Sequence, residues 1–228
     1  VALLKQLMEK KIVIVTSGGS FKQFKIQFLP LFLNDDSILS FIDNLKLLPT
    51  SATQRYEFDN IKKDWILTDK ESLGEGVKER ILKLLQEVIE SGLYDIPPDP
   101  FGEIIEDRDT QITLSARGQL ASIEEKRTWD PDKKKREKIK AFLEPQLPET
   151  SILINAYSSI DIVPKGFNKA VGLKLFLDKF GFRKSDVIFV GDGIFPGGND
   201  YSLFEAGFDT FAVKGPEETA SFIEKCIS

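Results

Sequence analysis

Val190-Gly191-Asp192-Gly193-Ile194-Phe195-Pro196-Gly197-Gly198-Asn199-Asp200 is the stretch on which the reading of this chain turns. It is entered through Val187-Ile188-Phe189-Val190, a short apolar run of the kind that forms a buried strand in a parallel sheet. Such a strand delivers Asp192 at its C-terminal tip, where sheets of this class bind ligands. The glycines that follow let backbone approach a ligand closely. Asn199 and Asp200 then add further oxygen ligands within eight residues of Asp192. A few hard oxygens are what Mg²⁺ requires, since it keeps several of its own waters. The plainer alternative is a Gly-Asp turn in which Asn199 caps the next helix. The length and composition of the whole string favour a metal-proximal loop.

Composition narrows the chemistry further. The 228 residues include no histidine, which excludes imidazole bases, His-containing triads and His metal sites. Cys226 is the one cysteine, so a disulfide framework is excluded and zinc is disfavoured. Metal chemistry must therefore rest on carboxylate and carbonyl oxygen, as for Mg²⁺ or Ca²⁺. A net charge of −5 gives no global attraction to nucleic acid or to an anionic membrane. No apolar run approaches the ~20 residues of a membrane span, and no signal peptide is visible. A cytoplasmic location is the expectation.

Working outward from the loop, helix and parallel-type strand alternate at both ends of the chain. Leu3, Leu4, Leu7 and Met8 recur at helical spacing, and Ile12-Val13-Ile14-Val15 reads as another buried strand. Thr16-Ser17-Gly18-Gly19-Ser20 then turns into an apolar-periodic segment, 21–32. Strands are expected within 45–68, clearest at 54–58 and 65–68. A helix over 74–92 has Val77, Ile81, Leu84, Leu85, Val88 and Ile89 as its stripe and Gly92 as its cap. Pro97, Pro98 and Pro100 mark a loop. A hairpin follows at 103–106 and 111–115, then a charged helix over about 130–144, then strands at 152–156 and 159–163. The run Lys133-Lys134-Lys135-Arg136 reads as a solvated helix face. After Pro164 come a helix striped by Ala170, Leu173, Leu177 and Phe180, the strand at 187–190, a short helix, a strand at 210–213 and a last helix from Pro216. The architecture is an α/β parallel-sheet core, 1–71 and 163–228, interrupted by an α+β cap, 72–162.

Two more residues carry chemistry. Ser17, or its neighbour Thr16, puts a hydroxyl at a strand tip ahead of glycines, where it either binds a phosphate oxygen or simply caps a helix. Lys169 stands in the first turn of a helix, against the helix dipole, and a neighbouring anion is expected to compensate.

Ser17, Lys169, Asp192 and Asp200 follow the order found in haloacid dehalogenase (HAD) phosphotransferases. More specifically, Gly191-Asp192 with Pro196-Gly197-Gly198-Asn199-Asp200 resembles the loop of eukaryotic-type phosphomannomutases, as does Val163-Pro164-Lys165-Gly166-Phe167-Asn168-Lys169. The resemblance covers essentially the whole chain, weakly through 30–100. It implies a Rossmann-like HAD core with a C2-type (IIB) cap and Mg²⁺ as cofactor. Ser17, Lys169 and Asp200 would be catalytic, and Asp192 with Asn199 would hold the metal. In the cap, Arg108 matches a family arginine that binds the distal phosphate, and Ser159 and Asp161 match a ligand-contacting Ser-x-Asp. Residues two apart on a strand share a face, so Ser159 and Asp161 would face the ligand with Ile160 and Ile162 behind. Two further family arginines align with Gln119 and Lys126, while Arg117 and Arg127 stand nearby as substitutes.

The family nucleophile, the first Asp of an Asp-x-Asp at the tip of a first strand, has no counterpart ahead of Ile12. That strand lies mid-sheet in the family, between the runs 12–15 and 187–190. Without it, buried backbone groups would be left unpaired at roughly 1–3 kcal/mol each. The sequence therefore leads to the expectation of ~15–30 residues upstream, the length of one strand, a loop and the start of a helix.

The resemblance implies a phosphomannomutase, an isomerase of mannose 1-phosphate and mannose 6-phosphate. A sugar-phosphate phosphatase, a hydrolase, shares the first half of that chemistry, and a sugar-phosphate-binding protein without the nucleophile is the non-enzymatic alternative. The expected partners are a small phosphorylated sugar and a second copy of the chain as a homodimer.

Overall fold

Helix α1 (Ala2–Lys10) leads into β1 (Val13–Thr16), the apolar run expected from the sequence, and β1 pairs in parallel with β2 (Leu45–Leu48). The computed structural model describes residues 2–33, 36–92 and 94–228. Between β1 and β2 the periodic segment winds as α2 (Phe21–Gln23), a wider π turn at Phe24–Phe28 and α3 (Pro30–Leu33). Phe24, Phe28 and Phe32 follow one another along this segment with ring centroids 5.9 and 4.9 Å apart. Strands β3 (Gln54–Asp59) and β4 (Asp64–Lys70) extend the sheet antiparallel, in the order β1-β2-β3-β4. Met8, Phe24, Leu29, Phe32, Leu45, Leu47 and Trp65 bury the core beneath it.

The middle of the chain is an α+β unit, Glu71–Asn168. It holds α4 (Glu75–Glu90), β5 (Ile105–Asp107), β6 (Ile112–Ser115), α5 (Ile123–Trp129), α6 (Lys134–Leu143), β7 (Thr150–Asn155) and β8 (Ser159–Pro164). The strands form an antiparallel sheet in the order β5-β6-β8-β7. Its apolar face (Ile112, Leu114, Ile152, Ile160, Ile162) packs on Ile81, Leu85, Val88, Ile139 and Leu143 of α4 and α6. Two sequence expectations change here. A separate helix, α5, begins at a capping box between Ser122 and Glu125. Arg136 is not solvated: it is 2% exposed and bound to Asp130, itself 1% exposed. Its other N–H groups donate to the carbonyls of Asp130, Asn155 and Ala156. A buried guanidinium is tolerated because every direction of its fork meets an oxygen.

The chain then returns to the first unit, Val1–Lys70 with Lys169–Ser228. It adds α7 (Lys169–Phe180), β9 (Ile188–Gly191), α8 (Tyr201–Glu205), β10 (Asp209–Ala212) and α9 (Pro216–Ile227). Strands β9 and β10 pair in parallel as a sheet of their own. Ile14 of β1 and Phe189 of β9 both pack on the cluster containing Leu173, Phe176 and Leu177 of α7. Elsewhere in the unit α1 packs against α9, and Lys10 Nζ donates to the carbonyl of Ile227.

The sequence reads β1 and β9 as buried strands, and here the structure differs. Ile12 is 44% and Ile188 57% exposed, and no residue of either strand is fully buried. The cause is pairing: among the described residues β1 is hydrogen-bonded to β2 alone and β9 to β10 alone. A strand with one bare edge leaves its outer backbone and flanking side chains uncovered. Among the described residues no helix is long and apolar enough to cross a membrane.

Candidate active site

The site grows from the C-terminal tips of β1 and β9. At β1, Ser17 N–H donates to the Leu48 carbonyl, and Ser17 Oγ accepts from Gly19 N–H at 3.0 Å. The helix cap is a different residue. Ser20 forms a capping box with Gln23, so Ser17 is not the N-cap. Thr16 Oγ1 is buried without a hydrogen-bond partner among the described residues.

The Ser17 turn is tied down by the segment after β2. Ser51 N–H donates to Ser17 O and Thr50 N–H to Gly19 O, both at 2.8 Å. Thr50, Ser51 and Ala52 all have positive φ, 53°, 55° and 67°, an uncommon run for residues that carry a Cβ. On its other side this segment meets α7. A Cβ added to Gly172 would lie 2.4 Å from Ala52 Cβ, so the absent side chain is the notch into which the alanine fits.

Lys169 opens α7 and is 7% exposed. Its Nζ lies 2.5 Å from Asp200 Oδ1, and Asp200 is 4% exposed. The anion expected to compensate this lysine at the helix start is therefore Asp200. A buried lysine–carboxylate pair is costly to desolvate and holds where the geometry is close and further hydrogen bonds exist. Gly193 N–H supplies one, to Asp200 Oδ2 at 3.2 Å.

The loop between Asp192 and Asp200 closes tightly on this pair. Side-chain atoms of Asn199 and Asp200 fill the space beside Gly193. A Cβ there would lie 2.1 Å from Asn199 Oδ1 and 3.0 Å from Asp200 Oδ2. A Cβ on Gly198 would lie 2.0 Å from the Gly193 carbonyl. Asp192 and Asn199 are exposed and Asp200 is buried. Two exposed residues with oxygen-bearing side chains therefore belong to the loop that ends at a carboxylate already engaged by lysine. The set suits a hard cation that keeps waters. No group of three or more acidic, histidine or cysteine side chains gathers as a metal cluster among the described residues.

In the α+β unit, Arg108 pairs with Glu106, both nearly buried, at the end of β5. Gln119 Nε2 donates to the other Glu106 oxygen, and Lys126 Nζ donates to the Gln119 carbonyl at 2.8 Å. Burial, and Arg108 close by, hold the Lys126 ammonium below its ordinary pKa, with Glu106 opposing. Arg117 and Arg127 keep other company. Arg117 lies in the electrostatic range of Asp95 and Glu125. Arg127 stacks on Tyr157 and donates to its hydroxyl. Ser159 and Asp161 alternate with the core residues Ile160 and Ile162, as strand geometry requires. Asp161 is 2% exposed and accepts from Thr113 and Asn155. Glu106, Thr113 and Asn155 are absent from the site expected from the sequence. The available signal for Glu106 is its place two residues before Arg108; Thr113 and Asn155 become visible only through strand register.

Comparison with known proteins adds the family. The model of the family described as eukaryotic phosphomannomutase matches residues 2–228. The chain is 29% identical over 149 residues to the phosphomannomutase of Saccharomyces cerevisiae, covering 63% of this chain and 55% of that protein. It is 28% identical over 172 residues to that of Encephalitozoon cuniculi, covering 72% and 66%. The chain thus spans just over half to two thirds of these relatives. Among solved structures, an IMP-bound, N-terminally truncated IMP-nucleotidase of Plasmodium falciparum superposes with a TM-score of 0.65 at 15% identity, over 100% of this chain and 62% of that one. A haloacid dehalogenase-like hydrolase of Bacteroides thetaiotaomicron gives 0.60 at 14% identity, over 99% and 90%. These likenesses show a shared fold, a Rossmann-like core with a cap, and the family match carries the rest: the chain belongs to the eukaryotic phosphomannomutase family of the haloacid dehalogenase superfamily.

Proposed function

We propose that this chain serves Mg²⁺-dependent phosphoryl transfer on a sugar phosphate, phosphomannomutase-like, through an aspartyl-phosphate. The observation that carries the proposal is the buried Lys169–Asp200 pair under the loop that presents Asp192 and Asn199. An ammonium fixed in a dry site neutralises charge on a phosphoryl group far better than one in water. Ser17, at the tip of β1, would donate its hydroxyl to a phosphoryl oxygen. Asp192 and Asn199 would hold the Mg²⁺, which when bound supplies charge neutralisation at the phosphoryl oxygens. Asp200 orients Lys169.

The nucleophile would be the first carboxylate of an Asp-x-Asp on an extended segment seated between β1 and β9. Support comes from those two strands, each hydrogen-bonded along one edge among the described residues and both packed against α7. The carboxylate oxygen would form a bond to phosphorus as the bond to the sugar oxygen breaks, and the second carboxyl would protonate that leaving oxygen. A second sugar hydroxyl then accepts the phosphoryl group in a mutase, and water accepts it in a phosphatase. The hydrolytic reading is favoured by one observation, the presence of Gln119, hydrogen-bonded to the Glu106 that pairs with Arg108, where the resemblance places a further arginine.

The test uses protein that includes any residues its reading frame encodes ahead of Val1, with Mg²⁺. One assay follows conversion of mannose 1-phosphate to mannose 6-phosphate with a bisphosphate primer, and another follows phosphate release. Conversion without release makes the protein a mutase, and release alone makes it a phosphatase. Neither activity, with binding of a sugar phosphate retained, leaves a non-catalytic binding protein.

A further inference from the structure

Two buried hydroxyls beside the Ser17 turn have no role in the chemistry above. Thr16 closes β1, and Ser51 is the middle residue of the left-handed turn that follows β2. Ser51 is 1% exposed. Among the described residues, neither Thr16 Oγ1 nor Ser51 Oγ has a hydrogen-bond partner. A buried hydroxyl left unpaired is destabilising, whereas an apolar group of the same shape would not be. Two such groups in one place call for an explanation.

The strand assigns Thr16 its side. Val13 and Val15 pack on the cluster of Met8, Phe24 and Leu45, whereas Ile14 packs on the cluster that holds Leu173, Phe176 and Leu177 of α7. Side chains alternate along a strand, so Thr16 faces the same way as Ile14, toward the layer of α7. The turn that carries Ser51 meets that layer too. It packs against both β1 and α7, and Ala52, the residue after Ser51, fills the notch at Gly172. Ser51 N–H donates to the carbonyl of Ser17, the residue after Thr16. One backbone hydrogen bond thus ties together the segments that carry the two hydroxyls. The hydroxyls make no direct bond to each other, since neither has a partner. A group that satisfies both has to be small, and it has to donate as well as accept. Water meets both needs, and buried waters commonly link polar groups that protein atoms leave unsatisfied.

We propose that Thr16 and Ser51 bind a single buried water and act through it as positioning residues for Ser17. Ser17 Oγ already accepts from Gly19 N–H, so its own hydrogen is the part left to meet a phosphoryl oxygen. The direction of that O–H depends on how firmly the turn is held, and the water adds a tie between the tip of β1 and the turn at 50–52. The water site stands on the geometry alone. The positioning role rests on the phosphoryl-transfer reading given above.

The test has two arms, both on protein that includes any residues its reading frame encodes ahead of Val1. A crystal structure at atomic resolution is expected to show one water within hydrogen-bond distance of both Thr16 Oγ1 and Ser51 Oγ. Absence of that water, or either hydroxyl bonded to a protein group instead, would overturn the proposal. The second arm is calorimetric binding of inorganic phosphate, in Mg²⁺, to the unaltered protein and to Thr16→Val, Ser51→Ala, their double variant and Thr16→Ser. Each of the first two is expected to weaken binding about tenfold, as misplacement of a positioning group does. The double variant is expected to lose no more than either single one, and Thr16→Ser, which keeps the hydroxyl, to bind as the unaltered protein does. Unchanged binding in folded single variants, or losses that multiply in the double variant, would overturn the positioning role. Failure of the unaltered protein to bind phosphate would overturn the phosphoryl-transfer reading and the positioning role with it, and the crystallographic arm would still decide the water site.

Discussion

Replacing Lys169 by Met should destabilise the first unit by about 3–5 kcal/mol, the usual effect of stripping the partner from a buried ion. Asp200 is 4% exposed, and with the ammonium gone its carboxylate is left to the 3.2 Å bond from Gly193 N–H. Asp200→Asn should cost less, because an amide oxygen can still accept from Lys169 and the amide needs less hydration. In the double variant neither charge remains, and most of the penalty of the lone carboxylate disappears. The cycle should therefore give a coupling of about 2 kcal/mol, within the range for residues in direct contact. Urea denaturation followed by fluorescence is the assay. The two tryptophans lie in different units, Trp65 in the first and Trp129 in the cap. A Trp129→Phe background thus makes the signal report on Trp65, which is buried in the same unit as the pair. A coupling under about 0.5 kcal/mol, or a loss under about 1 kcal/mol for Lys169→Met, would refute the argument that the pair organises this site.

Other outcomes follow from neighbouring features. Gly172→Ala places a methyl 2.5 Å from the Ala52 carbonyl oxygen. Overpacking should outweigh the gain in helix propensity, for a net loss of about 1–2 kcal/mol visible in thermal melting. Arg136→Met leaves Asp130 buried and uncompensated, so urea unfolding of the cap, monitored by Trp129, should show a loss of about 3–5 kcal/mol. Burial raises the Glu57 pKa, but hydrogen bonding and attraction from Lys46 outweigh it and hold the carboxyl below its ordinary 4.5. Stability from this group is present above 4.5 and lost as pH falls through the lowered value; Lys46→Gln should flatten that part of the stability–pH curve, with Glu57 titration followed by NMR. Millimolar Mg²⁺ should raise the melting temperature of the unaltered chain and leave that of Asp192→Asn unchanged.

Much of the fold is visible in the sequence because its signals are local. Gly92 and Gly181, at φ of 64° and 72°, end their helices as glycine after an apolar stripe should. The alternation of Ser159 and Asp161 with Ile160 and Ile162 fixes the two faces of β8 from residue type alone. What the sequence hides depends on partners distant along the chain. Four apolar residues in a row announce a buried strand, but whether both edges of β1 find neighbours is a property of the whole sheet. Arg136 sits in a run of cations that reads as a solvated surface. Only the fold brings Asp130 and two hairpin carbonyls around it. At the site, Asp192, Asn199 and Asp200 are legible from one contiguous string, whereas the tie from Glu106 to Gln119 needs tertiary proximity.

The left-handed turn at Thr50, Ser51 and Ala52 acts as a spacer between two pieces of the site. Such backbone costs roughly 1–2 kcal/mol per residue when a Cβ is present, and glycine would relieve it. Glycine at position 52 would also empty the notch of Gly172, three residues along α7 from Lys169. Strain in the turn and fit in the notch therefore oppose each other at a single methyl group. Through that methyl, the backbone of the Ser17 turn is coupled by packing to the start of the helix that carries Lys169. Tuning one would mean moving the other, which makes this short turn a gauge for the spacing of the two groups proposed to bind the phosphoryl oxygens.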